Sequence, residues 1–258
     1  MFTAHPATAD RQPGGERGAG GDRTLVIDAR AEEIVFEELD ALHAAGCEFT
    51  VISEERGTVV YGDGTSDVRV VVDPIDGSLN AKRLLPTHSL SIAVAAGETM
   101  EDVEFGYVRD FGTGEEFTAL RGGGAELNGR PLDPDAGGEG LEVVGFEAAK
   151  PEWLAPVLEA LAGRLYRVRV IGTVAVSLCY VAAARFDGML TTDVCRSVDT
   201  AAGQLIAREA GAFVDFLKHG GIEAPLDLDA RYRMVAARSP EQLETLVRAL
   251  TQGRPLGD

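Results

Sequence analysis

Apolar residues recur in short runs along the chain, and their spacing predicts alternating helices and strands from Asp28 onward. The first run keeps helical spacing as far as Leu42, and Gly46 stands where a glycine commonly ends a helix. Residues 49–52 and 68–72 are apolar runs typical of short buried strands, and each leads directly into acidic residues. We therefore expect carboxylates at the ends of two strands.

The middle of the chain carries a series of strand-like runs separated by glycines, at residues 89–96, 104–109, 116–120 and 125–127. With Asn128-Gly129 as a tight-turn signal, this series predicts an antiparallel meander. Strands are then predicted at 166–171 and 188–191, and helices at 151–161, 174–184, 200–210 and from Ser239-Pro240. This order predicts an α+β protein with mixed sheets layered with helices.

Composition divides the chain into three parts. Residues 1–22 are rich in glycine and proline with little apolar content, so we expect a flexible leader. The glycine-rich loop at residues 137–140 is the clearest boundary between a first half, 23–140, and a second half, 141–258. The sequence shows no internal repeat.

The overall charge excludes several classes of protein. The chain has 42 acidic and 24 basic residues and a net charge of −18, which opposes binding to nucleic-acid phosphates. No apolar run approaches the roughly 20 residues of a membrane helix, and three widely spaced cysteines do not form a disulfide framework. We expect a cytoplasmic protein with an acidic surface, from a salt-rich cytoplasm; a simple composition bias is the alternative.

The most informative segment is Asp-Pro-Ile-Asp-Gly-Ser at residues 73–78, which follows an apolar strand. Proline fixes one backbone angle and glycine frees another, so the carboxylates of Asp73 and Asp76 and the Ile75 carbonyl can converge. Such hard oxygen ligands suit Mg²⁺. A helix starting after Gly77 would direct its first amides to the same point and bind a phosphate. The alternative is an ordinary surface turn.

Two further acidic sites strengthen the first interpretation. Glu54 ends an earlier apolar strand, and Asp199 stands at a predicted helix start, followed by small residues that indicate close packing. Asp199 could also be only an N-cap. Several carboxylates packed together repel one another and raise their pKa values, so the cluster makes sense if cations bind there.

These motifs, in this order, resemble the inositol monophosphatase family, within the lithium-sensitive, Mg²⁺-dependent phosphatases that include fructose-1,6-bisphosphatase. Residues 73–78 are similar to the family's D-P-I/L-D-G-T/S signature, Glu54-Glu55 to its acidic pair, and residues 199–203 to its W-D-x-A-A-G motif. The chain looks like an archaeal-type member. The resemblance implies a layered α-β-α-β-α sugar-phosphatase fold with mixed and antiparallel sheets, and a homodimer.

The resemblance also implies roles for single residues. The implied Mg²⁺ ligands are Glu54, Asp73, Asp76, Asp199 and the Ile75 carbonyl. Ser78 and Glu54 would orient and activate the attacking water, and Asp28 would hydrogen-bond the Ser78 hydroxyl. The implied substrate contacts are the Gly77 and Ser78 amides, the turn Gly172, Thr173 and Val174, and Arg196. The first half would thus bind metal and phosphate, and the second half would complete the active site.

The expected activity is Mg²⁺-dependent hydrolysis of a small phosphorylated polyol or sugar, inositol 1-phosphate or fructose 1,6-bisphosphate, by metal-activated water. The alternatives are a nucleotide 3′-phosphatase of the same fold and a catalytically silent metal-binding homologue. The sequence departs from the family pattern at three points. The short leader stands where the family has a long first helix, either because the start is truncated or because this member has lost the element. Val198 replaces the usual Trp, and Ser78 replaces the commoner Thr.

Overall fold

The computed structural model describes residues 13–17 and 23–253, with side chains from residue 29 onward. The α-helices in these residues are α1 (Val26–Ala44), α2 (Ser78–Arg83), α3 (Pro151–Ala160), α4 (Val174–Ala182), α5 (Ser197–Glu209) and α6 (Pro240–Gly253), and a short 3-10 helix spans Met100–Asp102. The strands are β1 (Pro13–Arg17), β2 (Arg23–Leu25), β3 (Phe49–Ser53), β4 (Gly57–Tyr61), β5 (Val68–Asp76), β6 (Ser89–Ala96), β7 (Val103–Asp110), β8 (Glu116–Leu120), β9 (Gly124–Leu127), β10 (Arg130–Pro131), β11 (Leu141–Glu147), β12 (Leu165–Arg169), β13 (Gly188–Thr191), β14 (Phe213–Phe216) and β15 (Met234–Ala237).

The larger sheet has eight strands in the order β10-β9-β8-β7-β6-β5-β3-β4. From β5 to β10 each strand pairs antiparallel with the next, which confirms the predicted meander. Asn128 and Gly129, between β9 and β10, both have positive φ angles, 51° and 71°, as a tight hairpin turn requires. The pair β3 and β5 is parallel, so both strands end at the same edge of the sheet.

The smaller sheet has five strands in the order β12-β11-β13-β15-β14. Strand β11 pairs in parallel with β12 and β13, whereas β15 is antiparallel to β13 and β14. Mixed and antiparallel pairing is therefore present, as the sequence predicted.

Five layers result from the packing of helices on these sheets. Helix α1 covers the outer face of the larger sheet through Phe36 and Leu39. Helices α4 and α5 fill the space between the two sheets. Helices α3 and α6 pack together on the far face of the smaller sheet. The fold is the expected α-β-α-β-α sandwich.

Small residues let α5 lie close to both of its neighbours. A Cβ atom on Gly203 would lie 2.8 Å from a side-chain carbon of Leu178 in α4. A Cβ atom on Gly106 of β7 would lie 2.8 Å from the carbonyl oxygen of Ala202. The small-residue run after Asp199 therefore indicates close packing, as predicted, and this packing fixes the start of α5 relative to the larger sheet.

The start of the described chain forms a short antiparallel pair of strands. Strand β1 lies within the predicted leader, residues 1–22, and pairs antiparallel with β2. The expectation that residues 1–22 are flexible stays a prediction. The rest of the leader lies outside the described residues. Among the described residues, no helix is long and apolar enough to span a membrane.

Candidate active site

The parallel strands β3 and β5 bring the acidic residues to one edge of the larger sheet. Glu54 directly follows β3, and Asp73 lies near the end of β5. Asp199 comes from the first turn of α5, between the sheets. One carboxylate oxygen from each of these three residues lies within 4.8 Å of the other two, and all three residues are buried. Three acidic segments that are distant in sequence therefore meet at one point.

The Asp73–Ser78 segment forms the sharp turn that the sequence predicted. The pairing of β5 with β6 shifts register between Asp73 and Asp76, so the strand bulges there. A carboxylate oxygen of Asp73 accepts the Ile75 amide at 2.9 Å. Gly77 has φ +90°, and a Cβ there would lie 3.2 Å from two carbonyl oxygens, so glycine is needed on both counts. Helix α2 begins immediately afterwards.

Ser78 lies at the start of α2 with its hydroxyl turned back toward β5. Its Oγ donates to the carbonyl oxygen of Ile75 at 2.9 Å. The side chain of Asp28, the expected partner of this hydroxyl, lies outside the described side chains, although its backbone belongs to α1. Asp28 as the residue that orients Ser78 stays a prediction.

Asp76 is held by the second half of the chain. Its Oδ2 accepts hydrogen bonds from the Thr173 hydroxyl and, at 2.8 Å, from the Ala175 amide at the start of α4. Asp76 is not one of the three residues whose oxygens lie within 4.8 Å of one another. The two halves of the chain are therefore joined at this carboxylate.

Burial controls the protonation of the cluster. Desolvation raises the pKa of Glu54 to about 8, with Arg196 lowering it and Asp199 raising it further. Desolvation and then Asp199 raise the pKa of Asp76 to about 7. Burial together with Glu54 and Asp76 raises the pKa of Asp73 well above its ordinary value. Each carboxylate would ionise more readily beside an additional positive charge.

Arg196 supplies one positive charge from within the cluster. Its guanidinium lies 2.8 Å from a Glu54 oxygen and 3.3 Å from a carboxylate oxygen of Asp199. Although burial lowers the Arg196 pKa, these two carboxylates raise it above its ordinary value. The sequence predicted Arg196 only as a substrate contact, and in the structure it also partly neutralises the acidic residues.

The alternative that Asp199 is only an N-cap is wrong, because the N-cap of α5 is Arg196 and Asp199 is the third residue of the helix. Its Oδ2 accepts the backbone amide of Arg196 at 2.8 Å, the reciprocal contact of a capping box. Its Oδ1 faces the Arg196 guanidinium and the shared cluster. One carboxylate therefore stabilises the helix start and offers an oxygen to the site.

Two adjoining cavities open beside the cluster. The first, of about 310 Å³, is lined by Glu54, Glu55, Asp73, Ile75, Asp76, Gly77, Ser78, Leu79, Arg196 and Asp199. The second, of about 300 Å³, shares Asp76, Arg196 and Asp199 with the first and is also lined by Glu147, Gly172, Thr173, Val174, Val194 and Cys195, among others. The turn predicted to contact substrate, Gly172 to Val174, thus lies next to the acidic cluster.

Glu147 is a site residue that the sequence did not predict. It ends β11, a strand that was also not predicted, and it lines the second cavity. The available signal was an acidic residue directly after an apolar run, the same signal that identified Glu54 and Asp73.

The donor set fits a divalent metal ion. Glu54, Asp73 and Asp199 offer carboxylate oxygens to one point, and Ile75 lines the same cavity. Oxygen-only sites of this kind suit hard cations such as Mg²⁺. The structure therefore contains an acidic cluster that could hold a metal ion.

The sequence profile of the inositol monophosphatase family matches residues 8–254. The chain belongs to this family. A Methanothermobacter thermautotrophicus protein named fructose-1,6-bisphosphatase/inositol-1-monophosphatase is 33% identical over 248 residues, covering 90% of this chain and 85% of the relative. A Pasteurella multocida protein named Nus factor SuhB is 38% identical over 202 residues, covering 75% and 71%.

Solved structures of inositol monophosphatase family proteins share the fold. One, described as an inositol monophosphatase-fructose 1,6 bisphosphatase, has a TM-score of 0.83 and 25% identity, and the match covers 96% of this chain and 93% of that one. The family resemblance inferred from the motifs is thus confirmed. As a member of the inositol monophosphatase family, the chain is a phosphoric monoester hydrolase.

Proposed function

We propose that the chain hydrolyses a small phosphorylated polyol or sugar, inositol 1-phosphate or fructose 1,6-bisphosphate, with Mg²⁺ as cofactor. The observation that carries this proposal is the convergence of Glu54, Asp73 and Asp199 beside the turn that begins α2. The Methanothermobacter relative, whose name contains both activities, supports the choice of substrate class.

The proposed metal ligands are the carboxylates of Glu54, Asp73, Asp76 and Asp199 and the Ile75 carbonyl. When bound, Mg²⁺ neutralises phosphoryl oxygens, lowers the pKa of a bound water and stabilises the departing alkoxide. No covalent intermediate with the protein is needed.

The side chains beside this site would position the water and the phosphate. Because the Ser78 hydroxyl donates to the Ile75 carbonyl, its oxygen lone pairs can accept a hydrogen bond from the attacking water. Glu54 would orient the same water. Helix α2 has only six residues, so we assign phosphate binding to the Gly77 and Ser78 amides rather than to a helix dipole.

The alcohol part of the substrate would occupy the second cavity. Its volume of about 300 Å³ is of the size expected for a small ligand, and Gly172 to Val174 form one wall. Arg196 lines both cavities, so it can contact the phosphate or an anionic group on the sugar.

A substrate panel at one Mg²⁺ concentration tests the proposal by measuring phosphate release from inositol 1-phosphate, fructose 1,6-bisphosphate and a nucleoside 3′,5′-bisphosphate. We expect the first two to give the higher kcat/KM, and preferential turnover of the nucleotide would contradict the substrate assignment.

A further inference from the structure

Glu147 is a buried carboxylate at the active site for which the proposed chemistry has no use. It is 1% exposed, ends β11 in the smaller sheet, and lines the second cavity together with Asp76 and Thr173. A buried carboxylate is costly unless hydrogen bonds satisfy its oxygens, so its partners indicate its role.

Three donors surround the Glu147 carboxylate, and two of them are the amides of one turn. Its Oε2 accepts the Gly172 amide at 2.8 Å, and its Oε1 accepts the Ile171 amide at 3.3 Å. The third donor is the Ser177 hydroxyl, 2.6 Å from Oε1, on the second turn of α4. Glu147 thus ties the segment that enters α4 to the first turns of that helix.

The same segment also donates two hydrogen bonds to Asp76. Oδ2 of Asp76 accepts hydrogen bonds from the hydroxyl of Thr173, the residue after Gly172, and from the amide of Ala175, two residues further on. Only one peptide unit separates the amide that Glu147 accepts from the hydroxyl that Asp76 accepts. A displacement of the turn at Gly172 would therefore move the two donors that orient Asp76.

Close packing leaves the turn little freedom to adjust. Gly172 has φ +80°, and a Cβ there would lie 2.7 Å from the Asn80 side chain of α2. The Asn80 amide group donates to the Ile171 carbonyl at 2.7 Å, so the first half of the chain holds the carbonyl side of the turn. Glu147 holds its amide side.

We infer that Glu147 is a positioning residue that acts through the Ile171–Thr173 turn to fix the orientation of Asp76 and so the metal affinity of the site. This inference rests on the proposed function, because it assumes that Asp76 contributes to metal binding. Partners that orient a ligand in this way commonly change metal affinity or activity by 10–100-fold when they are replaced.

The variant Glu147→Gln tests the inference. Glutamine keeps the size of the side chain but has one acceptor oxygen, so either the Gly172 amide or the pair Ile171 and Ser177 loses its acceptor. The matched control is Ser177→Ala, which removes one donor to Glu147 and leaves both turn amides bonded. Each protein is titrated with Mg²⁺ by calorimetry, and hydrogen exchange of residues 171–175 is measured on the metal-free chains.

We expect Glu147→Gln to bind Mg²⁺ about 10–100-fold more weakly than the wild type and to exchange the amides of residues 171–175 faster. Ser177→Ala should stay within about threefold of the wild-type affinity. In the double variant with Thr173→Val, the losses should not add, because both substitutions act on the same link to Asp76. If Glu147→Gln does not fold, Glu147→Asp takes its place. Aspartate is shorter by one methylene group, so both oxygens move away from the turn, and Mg²⁺ binding should be weakened in the same way.

Wild-type affinity and wild-type exchange rates in a folded Glu147→Gln chain would overturn the inference, as would strictly additive losses in the double variant. Failure of the proposed function has a different signature, since the wild type itself would then show no Mg²⁺ binding. The hydrogen-exchange comparison needs no metal, so unchanged exchange in the variant would still reject the role of Glu147 in that case.

Discussion

Replacement of Asp76 by asparagine separates the proposed metal-binding role of this carboxylate from its role in the fold. In the structure Oδ2 accepts two hydrogen bonds, from Thr173 and Ala175, so the single acceptor oxygen of the asparagine side chain must take that position. The amide nitrogen then takes the place of Oδ1 and carries hydrogens where Asp76 offers lone pairs. The variant keeps the shape of the side chain and loses the proposed ligand atom.

The size of the stability effect follows from the pKa of Asp76, which burial and then Asp199 raise from 3.8 to about 7. Ionising this carboxyl in the metal-free folded chain therefore costs on the order of 4 kcal/mol more than in the unfolded chain. Because the pKa of Asp76 is higher in the folded chain than in the unfolded chain, its contribution to stability is fully present below about pH 4 and is lost as the pH rises through about 7. Asparagine does not ionise, so the variant does not lose stability in this way.

Thermal unfolding with and without Mg²⁺, at pH 6 and pH 8, measures both effects. The metal-free variant should be at least as stable as the metal-free wild type at pH 8, and its advantage should shrink at pH 6. Mg²⁺ should raise the Tm of the wild type clearly more than that of Asp76→Asn, which keeps the three other carboxylates. An equal rise in both proteins would refute the placement of Asp76 at the metal, and a metal-free variant clearly less stable at pH 8 would refute the charge argument.

Two other predictions concern the nucleophile and the surface. Ser78→Ala should lower kcat by about 10²–10⁴-fold with KM nearly unchanged, and Ser78→Thr should retain most activity; a near-normal kcat with a loss of about 1 kcal/mol of stability would make Ser78 only a structural residue. Because counterions relieve the self-repulsion of a chain with net charge −18, Tm should rise as KCl increases into the molar range. A flat or falling Tm would reject a salt-rich origin.

The sequence predicted the elements whose pattern is strong over their whole length. Residues 89–96 and 116–120 coincide with β6 and β8. Gly97 and Glu98 end the first run, and Glu115 and Arg121 flank the second. The N-cap role of Ser239 was also correct, since its hydroxyl accepts the Gln242 amide. Strand β4 was missed because alternate residues are exposed, and β15 because four apolar residues are too few to distinguish a strand from a helix.

The candidate site was predictable as a set of residues but not as an arrangement. Motifs identify Glu54, Asp73 and Asp199, whereas the ion pair between Arg196 and Glu54 joins positions far apart in sequence and depends on how α5 packs between the sheets. Glu147 was missed together with its strand. The expected homodimer and the role of Asp28 stay predictions.

Phosphate release in the presence and absence of Mg²⁺ tests the central claim most directly. With inositol 1-phosphate or fructose 1,6-bisphosphate as substrate, we expect turnover that requires Mg²⁺, stops in excess EDTA and returns when Mg²⁺ is restored. The acidic cluster carries this prediction, since the proposed chemistry has no other group that could neutralise the phosphoryl oxygens and activate water together. Full turnover in excess EDTA, or no phosphate release from either substrate with Mg²⁺ present, would contradict the account.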